Sequence, residues 1–547
     1  MHLLRPPNEG KSKSKACSEN RYLIFMNIPG IAGVCPRKTD LLILQNSPFP
    51  VRKIMHSGHG RIPIWPAICR QGLVVAVCAL SLASRSQAIG QAFLMLHSLA
   101  GPTNISGIYT NGDGAHPFAG LAFLGTTLYG TAQDGGNSGK GTVFSVSIDG
   151  KAFTILHSFT PTVGSANVNS DGAIPQGRLI VVSNTLYGST IAGGSGGVGT
   201  VFAVKIDGGG FATLHNFTGI QAAGEGAYPS AGLALLGNTL YGTTSEGGSS
   251  GNGTVFAVNI DGTGFRTVYS FAASHTNTSG LYTNSDGARP SADLILNTNT
   301  LFGTAAQGGS AGKGTVFTIQ TDGNGFTNLH NFTGLSDGAD PYAGLALSGN
   351  LLYGTTEFGG STGNGTLFRI SLSGAGFTTL HHFLGGNDGA RPTSQLILSG
   401  NTVYGTAQFG GSRSNGTVFA ASTDGISFST LYSFNGSDGS FPYAGLVLLN
   451  NRLYGTATEG GSSSLGTVFS LSSDVAVSLP TLTIVRSGTE VALLWPTNAV
   501  GFALESAATL VPPVIWSPVP GILTVVNGQN AVTNPASGPQ QFFRLIH

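Results

Sequence analysis

Short runs of alternating apolar and polar residues, separated by glycine-rich turns, recur along most of this chain. One such run reads Leu-Tyr-Gly-Thr at residues 128–131, and Gly-Gly follows it at residues 135–136. Aromatic and β-branched residues favour strands, while Gly and Asp-Gly supply the positive φ angles that tight hairpins require. No helix is evident. The pattern therefore predicts an all-β protein of short antiparallel strands.

The Leu-Tyr-Gly-Thr run is the clearest marker of a tandem repeat, which recurs about every 54 residues. Each copy predicts four strands, represented in the first copy by residues 119–124, 128–131, 141–144 and 153–159. Four hairpin-linked strands make one sheet, and a tandem series of such sheets is typical of a β-propeller, with a solenoid as the alternative. The seven copies of the marker begin at Leu128, Leu186, Leu240, Leu301, Leu352, Val403 and Leu453.

The two ends of the repeat array distinguish these alternatives. The last copy ends after its third strand, Gly-Thr-Val-Phe at residues 466–469, and its fourth strand occurs instead ahead of the first copy, at residues 93–99. Both ends would then share one sheet, which removes the exposed edges of an open array. The sequence thus predicts a seven-bladed β-propeller of four-stranded blades, closed by strands from both ends.

The motifs Asp-Gly-Ala-x-Pro, Leu-Tyr-Gly-Thr-Thr, Gly-Gly and Gly-Thr-Val-Phe, repeated from about residue 93 to 474, resemble the GloVer tandem-repeat family of exported bacterial proteins. Their order is also similar, more loosely, to that of a kelch blade, in which the outer strands usually carry Trp where this chain has Phe. The GloVer resemblance implies an exported, surface-associated propeller without assigned catalytic residues.

Both ends of the chain differ from the repeats. Arg61 and Arg70, an apolar run at residues 72–83 and an exit at Ala88 predict a signal peptide over residues 55–88. We interpret residues 1–54 as a mis-called, disordered extension, with a long n-region of the signal peptide as the alternative. Residues 89–474 are predicted to form the propeller, and residues 479–547 a small fibronectin-like β-sandwich at the C-terminus. The predicted location is extracellular or in the cell envelope.

Charge and cysteine content exclude several function classes. Residues 1–88 hold 12 of the 25 Lys and Arg and three of the 24 acids, so the remainder has 13 basic and 21 acidic side chains, a net charge of about −8. Nucleic-acid binding is therefore not expected. All four cysteines precede residue 88, so the predicted mature chain has no disulfide or thiolate metal site. We expect a monomer without a membrane-spanning segment.

Two recurrent polar motifs have structural explanations. The fifth position of the fourth strand is His in five copies and Tyr in two, which indicates aromatic packing rather than a metal site; these residues are His97, His157, His215, Tyr269, His330, His381 and Tyr432. Asn-x-Asp-Gly begins at Asn111, Asn169 and Asn284 and is typical of side-chain-capped turns. No cofactor is predicted, although weak calcium binding by these loops stays open.

The variable positions of the repeat provide the candidate ligand-binding residues. Residue x of Asp-Gly-Ala-x-Pro changes while its neighbours do not, and solvent exposure alone would also explain this; it is Ile174 in the second copy and, in the others, His116, Tyr228, Arg289, Asp340, Arg391 and Phe441. The segment before this motif is 3 to 14 residues long and is longest in the early copies. Two of these long loops contain Tyr109 and Tyr282, which are suited to stacking on sugars or peptides if the loops are functional.

Two functions follow as hypotheses. The first is a non-enzymatic exported propeller that acts as a binding or scaffold protein for a glycan or protein ligand through its long-loop face. The alternative is a polysaccharide-active lyase or hydrolase with acids such as Asp340 or Asp286 at the channel mouth. Neither hypothesis names the ligand.

Overall fold

The computed structural model describes residues 93–473, except 102, 106–107, 220–223 and 279, together with segments between residues 482 and 546. The predicted extension (1–54) and signal peptide (55–88) lie outside the described residues. Within the described part of the chain every regular element is a strand, so the protein is all-β there. No helix of that part is long and apolar enough to cross a membrane.

The first half of the repeat array contains 20 strands. Ahead of repeat 1 lie β1 (Leu94–Ser98), β2 (Thr103–Ile105) and β3 (Ile108–Ala115). Repeat 1 comprises β4 (Ala122–Leu124), β5 (Thr127–Ala132), β6 (Asp134–Gly136), β7 (Thr142–Ser147) and β8 (Phe153–Ser158). Repeat 2 comprises β9 (Ile180–Val182), β10 (Thr185–Thr190), β11 (Thr200–Lys205) and β12 (Ala212–Asn216). Repeat 3 and its following loop comprise β13 (Gly226–Ala227), β14 (Ala234–Leu236), β15 (Thr239–Thr244), β16 (Glu246–Gly247), β17 (Thr254–Asn259), β18 (Arg266–Ser270), β19 (His275–Thr276) and β20 (Tyr282–Thr283).

The later repeats have shorter loops and no extra strands among their described residues. Repeat 4 comprises β21 (Ile295–Asn297), β22 (Thr300–Ala305), β23 (Thr315–Gln320) and β24 (Thr327–Asn331). Repeat 5 comprises β25 (Ala346–Ser348), β26 (Leu351–Thr356), β27 (Thr366–Ser371) and β28 (Thr378–His382). Repeat 6 comprises β29 (Ile397–Ser399), β30 (Thr402–Ala407), β31 (Thr417–Ser422) and β32 (Phe428–Ser433). Repeat 7 comprises β33 (Val447–Leu449), β34 (Arg452–Ala457) and β35 (Thr467–Ser472).

Each repeat forms a four-stranded antiparallel sheet, and the seventh sheet is completed by β1 in the order β1-β35-β34-β33. Leu94 pairs with Ser470 and Ser98 with Thr467, so the pairing predicted between residues 93–99 and 466–469 is present. The innermost strand is shorter than predicted. Only residues 122–124 of the predicted 119–124 pair with β5, whereas Ala119 and Gly120 line a cavity and Leu121 lies in the core.

The hydrophobic core consists of clusters that lie between consecutive sheets. Seven clusters join the repeats in order, each built from buried residues of two neighbours. The cluster between repeats 7 and 1 places Val447, Tyr454 and Val468 against Leu128 and Phe144. The last repeat therefore packs on the first as each repeat packs on the next.

The predicted aromatic packing of the His and Tyr residues of the fourth strand is confirmed. Each ring stacks on the Phe at or directly before the start of the fourth strand of the following sheet, at centroid distances of 3.5–4.2 Å. The pairs are His97–Phe153, His157–Phe211, His215–Phe265, Tyr269–Phe326, His330–Phe377, His381–Phe428 and Tyr432–Phe93. The sequence did not indicate their second contact, with the acid of the next Asp-Gly or Glu-Gly. Tyr269, for example, donates a hydrogen bond to Asp286 at 2.7 Å.

Residues beyond 476 belong to a second compact unit. Its strands are β36 (Thr483–Ser487), β37 (Glu490–Pro496), β38 (Ala503–Ala507), β39 (Ser517–Pro518), β40 (Thr524–Val526), β41 (Gln529–Pro535) and β42 (Phe542–Ile546). They form the sheets β36-β37-β41-β40 and β39-β38-β42, and Leu493 and Trp495 of the first share a core with Leu504 of the second. The sequence analysis did not identify β40 and β41. The fibronectin-like type of this module stays a prediction.

A glycine in Leu-Tyr-Gly-Thr is required by close packing, and this yields a prediction. A Cβ on Gly354 would lie 2.5 Å from the Phe368 ring and 2.8 Å from Leu345. We expect Gly354→Ala to lower the free energy of unfolding by about 2 kcal/mol, as overpacking of a core does. The control Gly386→Ala introduces a Cβ with no atom within 4 Å and should be nearly neutral in denaturant unfolding. Equal stabilities of the two variants would contradict the packing.

Candidate functional site

The seven x residues of Asp-Gly-Ala-x-Pro share an unusual backbone conformation. All have φ between 52° and 60°, a left-handed region that is uncommon for residues other than glycine. Each x N–H donates to a carbonyl of the preceding repeat at 2.8–3.0 Å, and each x carbonyl accepts an N–H from its own repeat at 3.1–3.2 Å. The N–H of His116 donates to Leu465 of repeat 7 in the same way. The left-handed conformation thus allows x to form hydrogen bonds between repeats. The sequence variation at x does not indicate this role.

Three of the predicted residues line one cavity of about 650 Å³, which we call the rim cavity. Tyr282, a residue that is 72% exposed, contributes from β20, while Arg289 and Asp340 are the x residues of repeats 4 and 5. Glu246 and Lys313 also line it, and Arg289 lies 3.8 Å from Glu246. The rim cavity therefore presents an exposed aromatic ring among charges of both signs.

Burial raises the pKa values of two carboxyl groups near this cavity. Burial raises the pKa of Asp340, and the charge of Lys313 opposes that rise. Burial also raises the pKa of Glu357, which Arg391 opposes and Asp340 increases. Two interacting carboxyls with raised pKa values are a feature that active sites share with structural ion-pair networks.

A second cavity of about 380 Å³, the central chamber, includes in its wall the residue at one equivalent position of every repeat. Each of these residues directly follows the proline of Asp-Gly-Ala-x-Pro or its variant; they are Phe118, Gln176, Ser230, Ser291, Tyr342, Thr393 and Tyr443. The rings of Phe118 and Tyr443 stack at 4.6 Å. Seven equivalent residues, one from each repeat, therefore line the same cavity.

Charged and amide groups occupy one side of the chamber. Arg391, a predicted residue, lines it together with Glu357, and their charged groups lie 3.9 Å apart. The Arg391 guanidinium also lies 4.9 Å from the Phe358 ring centroid. Gln408 donates a hydrogen bond to Tyr443. The chamber is thus polar on this side and aromatic at Phe118.

The cavity lined by the next layer of residues has a volume of only about 100 Å³. Arg178 and Asp293 form an ion pair at 3.3 Å there, and the N–H of Gly232 holds the Asp293 carboxylate at 2.6 Å. The third residue after the proline of each repeat lies at this level, and along the chain it alternates between glycine and a longer side chain. Each glycine leaves room for its longer neighbours; the residues are Gly120, Arg178, Gly232, Asp293, Gly344, Gln395 and Gly445.

Three other predicted residues, His116, Tyr228 and Phe441, do not line either cavity as described. His116 forms a 2.9 Å contact between Nδ1 and the Asp134 carboxylate, which raises the pKa of His116 although burial opposes the rise. Phe441 packs on Phe409 at a centroid distance of 5.2 Å. Tyr228 is half-buried and lines neither cavity as described. Tyr109 belongs to β3, and its side chain lies outside the described residues.

The Asn-x-Asp-Gly loops act as turns. Asn284 Oδ1 accepts the N–H groups of Gly287 and Gly309 at 2.9 and 2.8 Å, and Asn111 and Asn169 make the equivalent contacts. The expectation that Asp286 faces the channel mouth is wrong. Asp286 is 3% exposed and lies between repeats, where it accepts hydrogen bonds from Tyr269 and the N–H of Ala272. Within the described residues, no group of three or more His, Cys, Asp or Glu could hold a metal ion.

Several wall residues were not predicted from the sequence, although a signal for them existed. The position after the proline varies as widely as x does, from Phe118 through Ser291 to Tyr342. The position that contains Glu357 and Gln408, after the second strand, varies similarly. Variation at fixed spacing from x would have identified both sets.

The strand pairing and repeat pattern define a class of all-β tandem-repeat protein, and a family comparison gives the assignment. The profile of the Gloeobacter/Verrucomicrobia repeat matches residues 85–282, 162–351 and 272–469. Together these matches span more than half of the chain, so the chain belongs to the Gloeobacter/Verrucomicrobia repeat family. A search of curated proteins finds no match.

Solved structures resemble the chain only distantly. A proposed 6-phosphogluconolactonase from Bacteroides fragilis is 14% identical, with a TM-score of 0.40 over 78% of this chain and 98% of that protein. An oligogalacturonate lyase in complex with manganese is 9% identical, with a TM-score of 0.39 over 70% of this chain and 97% of that protein. These scores are too low to support an argument about this chain.

The contact between His116 and Asp134 predicts a pH-dependent stability. A histidine whose pKa is raised on folding stabilises the protein below its unfolded pKa, and the contribution disappears as the pH rises through the folded pKa. Replacement by Asn, which tolerates the left-handed conformation, should therefore destabilise the protein most near pH 5 and least near pH 9. Denaturant unfolding across this range measures the difference.

The matched control is Ile174→Asn, which changes an x residue without a titrating group. Its effect on the free energy of unfolding should not depend on pH. A pH-independent effect of His116→Asn would contradict the assigned role of the contact with Asp134.

Proposed function

We propose that residues 89–474 form a closed seven-bladed β-propeller in which each four-stranded sheet is one blade. Three relations between consecutive repeats recur between repeats 7 and 1 and support this proposal. They are the shared core cluster, the aromatic stack and the hydrogen bond of the x residue. An open solenoid would leave the first and last copies without such contacts.

We further propose that this propeller is exported and binds a glycan or protein ligand through its long-loop face. The observation that carries this proposal is the rim cavity, where Tyr282, Arg289 and Asp340 converge. Its volume of about 650 Å³ lies in the range of ligand sites. An exposed tyrosine offers a stacking face for a sugar ring, and the charged groups offer hydrogen bonds to hydroxyls.

A glycan array followed by calorimetry tests the binding role. We expect purified protein to bind at least one glycan, and Tyr282→Ala and Arg289→Asn each to weaken binding about tenfold, or 1.4 kcal/mol. Asn is chosen at position 289 because it tolerates the left-handed backbone there. The matched control is Tyr228→Asn, which makes the same kind of change at an x residue outside the cavity.

An equal loss of affinity in Tyr228→Asn would show that the effect is structural rather than local. Unchanged affinity in both cavity variants would contradict a ligand site in the rim cavity. Binding to a surface protein with no glycan signal would support the protein-ligand form of the proposal.

A polysaccharide-active enzyme is the second candidate, and the raised pKa values of Asp340 and Glu357 favour it. A raised pKa makes a carboxyl group better suited to donate a proton as a general acid. On this hypothesis Asp340→Asn abolishes polysaccharide turnover, whereas binding is retained. Absence of turnover in the unmodified protein across polysaccharides that it binds would contradict it.

We also propose that the predicted signal peptide directs export. The C-terminal module then attaches the protein to the surface or sorts it. Both rest on the sequence pattern. Sequencing of the amino terminus of secreted protein should identify Ile89 as the first residue, and a start well away from it would contradict the predicted cleavage site.

A further inference from the structure

We propose that the central chamber binds the terminal residue of a neutral glycan, so that the protein recognises chain ends rather than internal segments. This inference rests on the proposed glycan-binding function and assigns a second subsite to it. In this arrangement the terminal sugar enters the chamber and the rest of the glycan lies in the rim cavity.

The two cavities adjoin at two repeats. Arg289 lines the rim cavity and Ser291 the chamber, and only Pro290 separates them in the chain. Asp340 and Tyr342 have the same relation across one proline. Because Pro fixes the backbone φ angle, each x-Pro unit holds its two wall residues in a defined relation. We therefore expect a ligand longer than one sugar to contact both cavities at once.

The size of the chamber favours a chain end. Its volume of about 380 Å³ falls at the small end of the range for ligand sites, whereas the next layer leaves only about 100 Å³. The ion pair between Arg178 and Asp293 lies at this narrowing, and Asp293 is fixed by the Gly232 N–H. The side chains of Arg178, Asp293 and Gln395 occupy this layer, so we expect a glycan to enter the chamber by its end rather than to thread through it.

The wall chemistry fits a neutral sugar. The stacked Phe118 and Tyr443 rings provide aromatic surface against the C–H face of a pyranose. Ser230 and Thr393 carry buried hydroxyls that have no hydrogen-bond partner among the described residues. Such unpaired groups are costly, and sugar hydroxyls are suitable partners for them.

Charge supports the same ligand class. The wall carries one cation, Arg391, and one anion, Glu357, and these two lie 3.9 Å apart. Their charges offset each other, so the chamber offers no excess charge to a phosphate, a carboxylate or an amine. Gln176 and Gln408 supply amide groups that can donate to and accept from hydroxyls.

Selective blocking of each cavity tests the inference. Ser291→Cys places a thiol in the chamber and Ser274→Cys one in the rim cavity, and all natural cysteines precede residue 88. Each purified variant is modified with benzyl methanethiosulfonate. Saturation-transfer NMR then measures binding of free glucose, galactose, mannose, xylose and N-acetylglucosamine, and calorimetry measures binding of linear hexasaccharides of these sugars.

We expect at least one monosaccharide to bind the unmodified protein and the blocked Ser274→Cys variant but not the blocked Ser291→Cys variant. The blocked Ser291→Cys variant should also lose at least about tenfold in affinity for the matching hexasaccharide. Removal of the label by a reductant should restore binding, which separates blocking from misfolding.

Two outcomes overturn the inference in different ways. Hexasaccharide binding that is lost on blocking the rim cavity but retained on blocking the chamber rejects the chamber and leaves the proposed function intact. Absence of binding of any monosaccharide or hexasaccharide to the unmodified protein rejects the inference together with glycan binding.

Discussion

The hydrogen bond between one left-handed residue and the preceding repeat is the constraint on which the architecture depends. Residue x of Asp-Gly-Ala-x-Pro donates its N–H to the preceding repeat and accepts from its own, and it does so in all seven copies. A left-handed conformation at residues such as Ile174 is unfavourable in isolation, so the surrounding contacts must compensate for it. The stacks of His or Tyr on Phe and the core clusters supply those contacts between the same pairs of sheets.

This constraint also explains why function can vary on a fixed framework. The two hydrogen bonds that x makes in every repeat join backbone atoms, so its side chain and that of the residue after proline can differ between repeats. Arg289 and Asp340 supply the rim cavity in this way, and Ser291 and Tyr342 supply the chamber. Deeper in, the alternation of long side chains with glycine packs Arg178 and Asp293 against each other and narrows the space.

The repeat pattern of the sequence predicted the strands and their pairing. It did not predict the chamber, whose wall residues are far apart in the chain and come together only on folding. The extra strand at residues 93–99 was evident because one element of a repeat was displaced. The chamber was not, because Phe118 and Tyr443 come from the first and last repeats and their proximity follows only from folding. The predicted location of Asp286 was wrong because an Asp-Gly turn does not determine which side its carboxylate faces. The Tyr269 hydroxyl donates a hydrogen bond to this carboxylate, which lies between repeats. In the C-terminal module no repeat existed to guide the assignment of β40 and β41.

The central claim is that repeats 7 and 1 make the same hydrogen bonds and packing contacts as every other pair of consecutive repeats. Amide hydrogen exchange, read by NMR or by mass spectrometry of short peptides, tests it at β1 and at the His116 N–H. The account predicts that these amides exchange at rates within about tenfold of their equivalents in β24 and at Asp340, because all belong to ladders of the same cooperative unit. Exchange of β1 and His116 at the rate of an unfolded peptide, with β24 and Asp340 still protected, would contradict it.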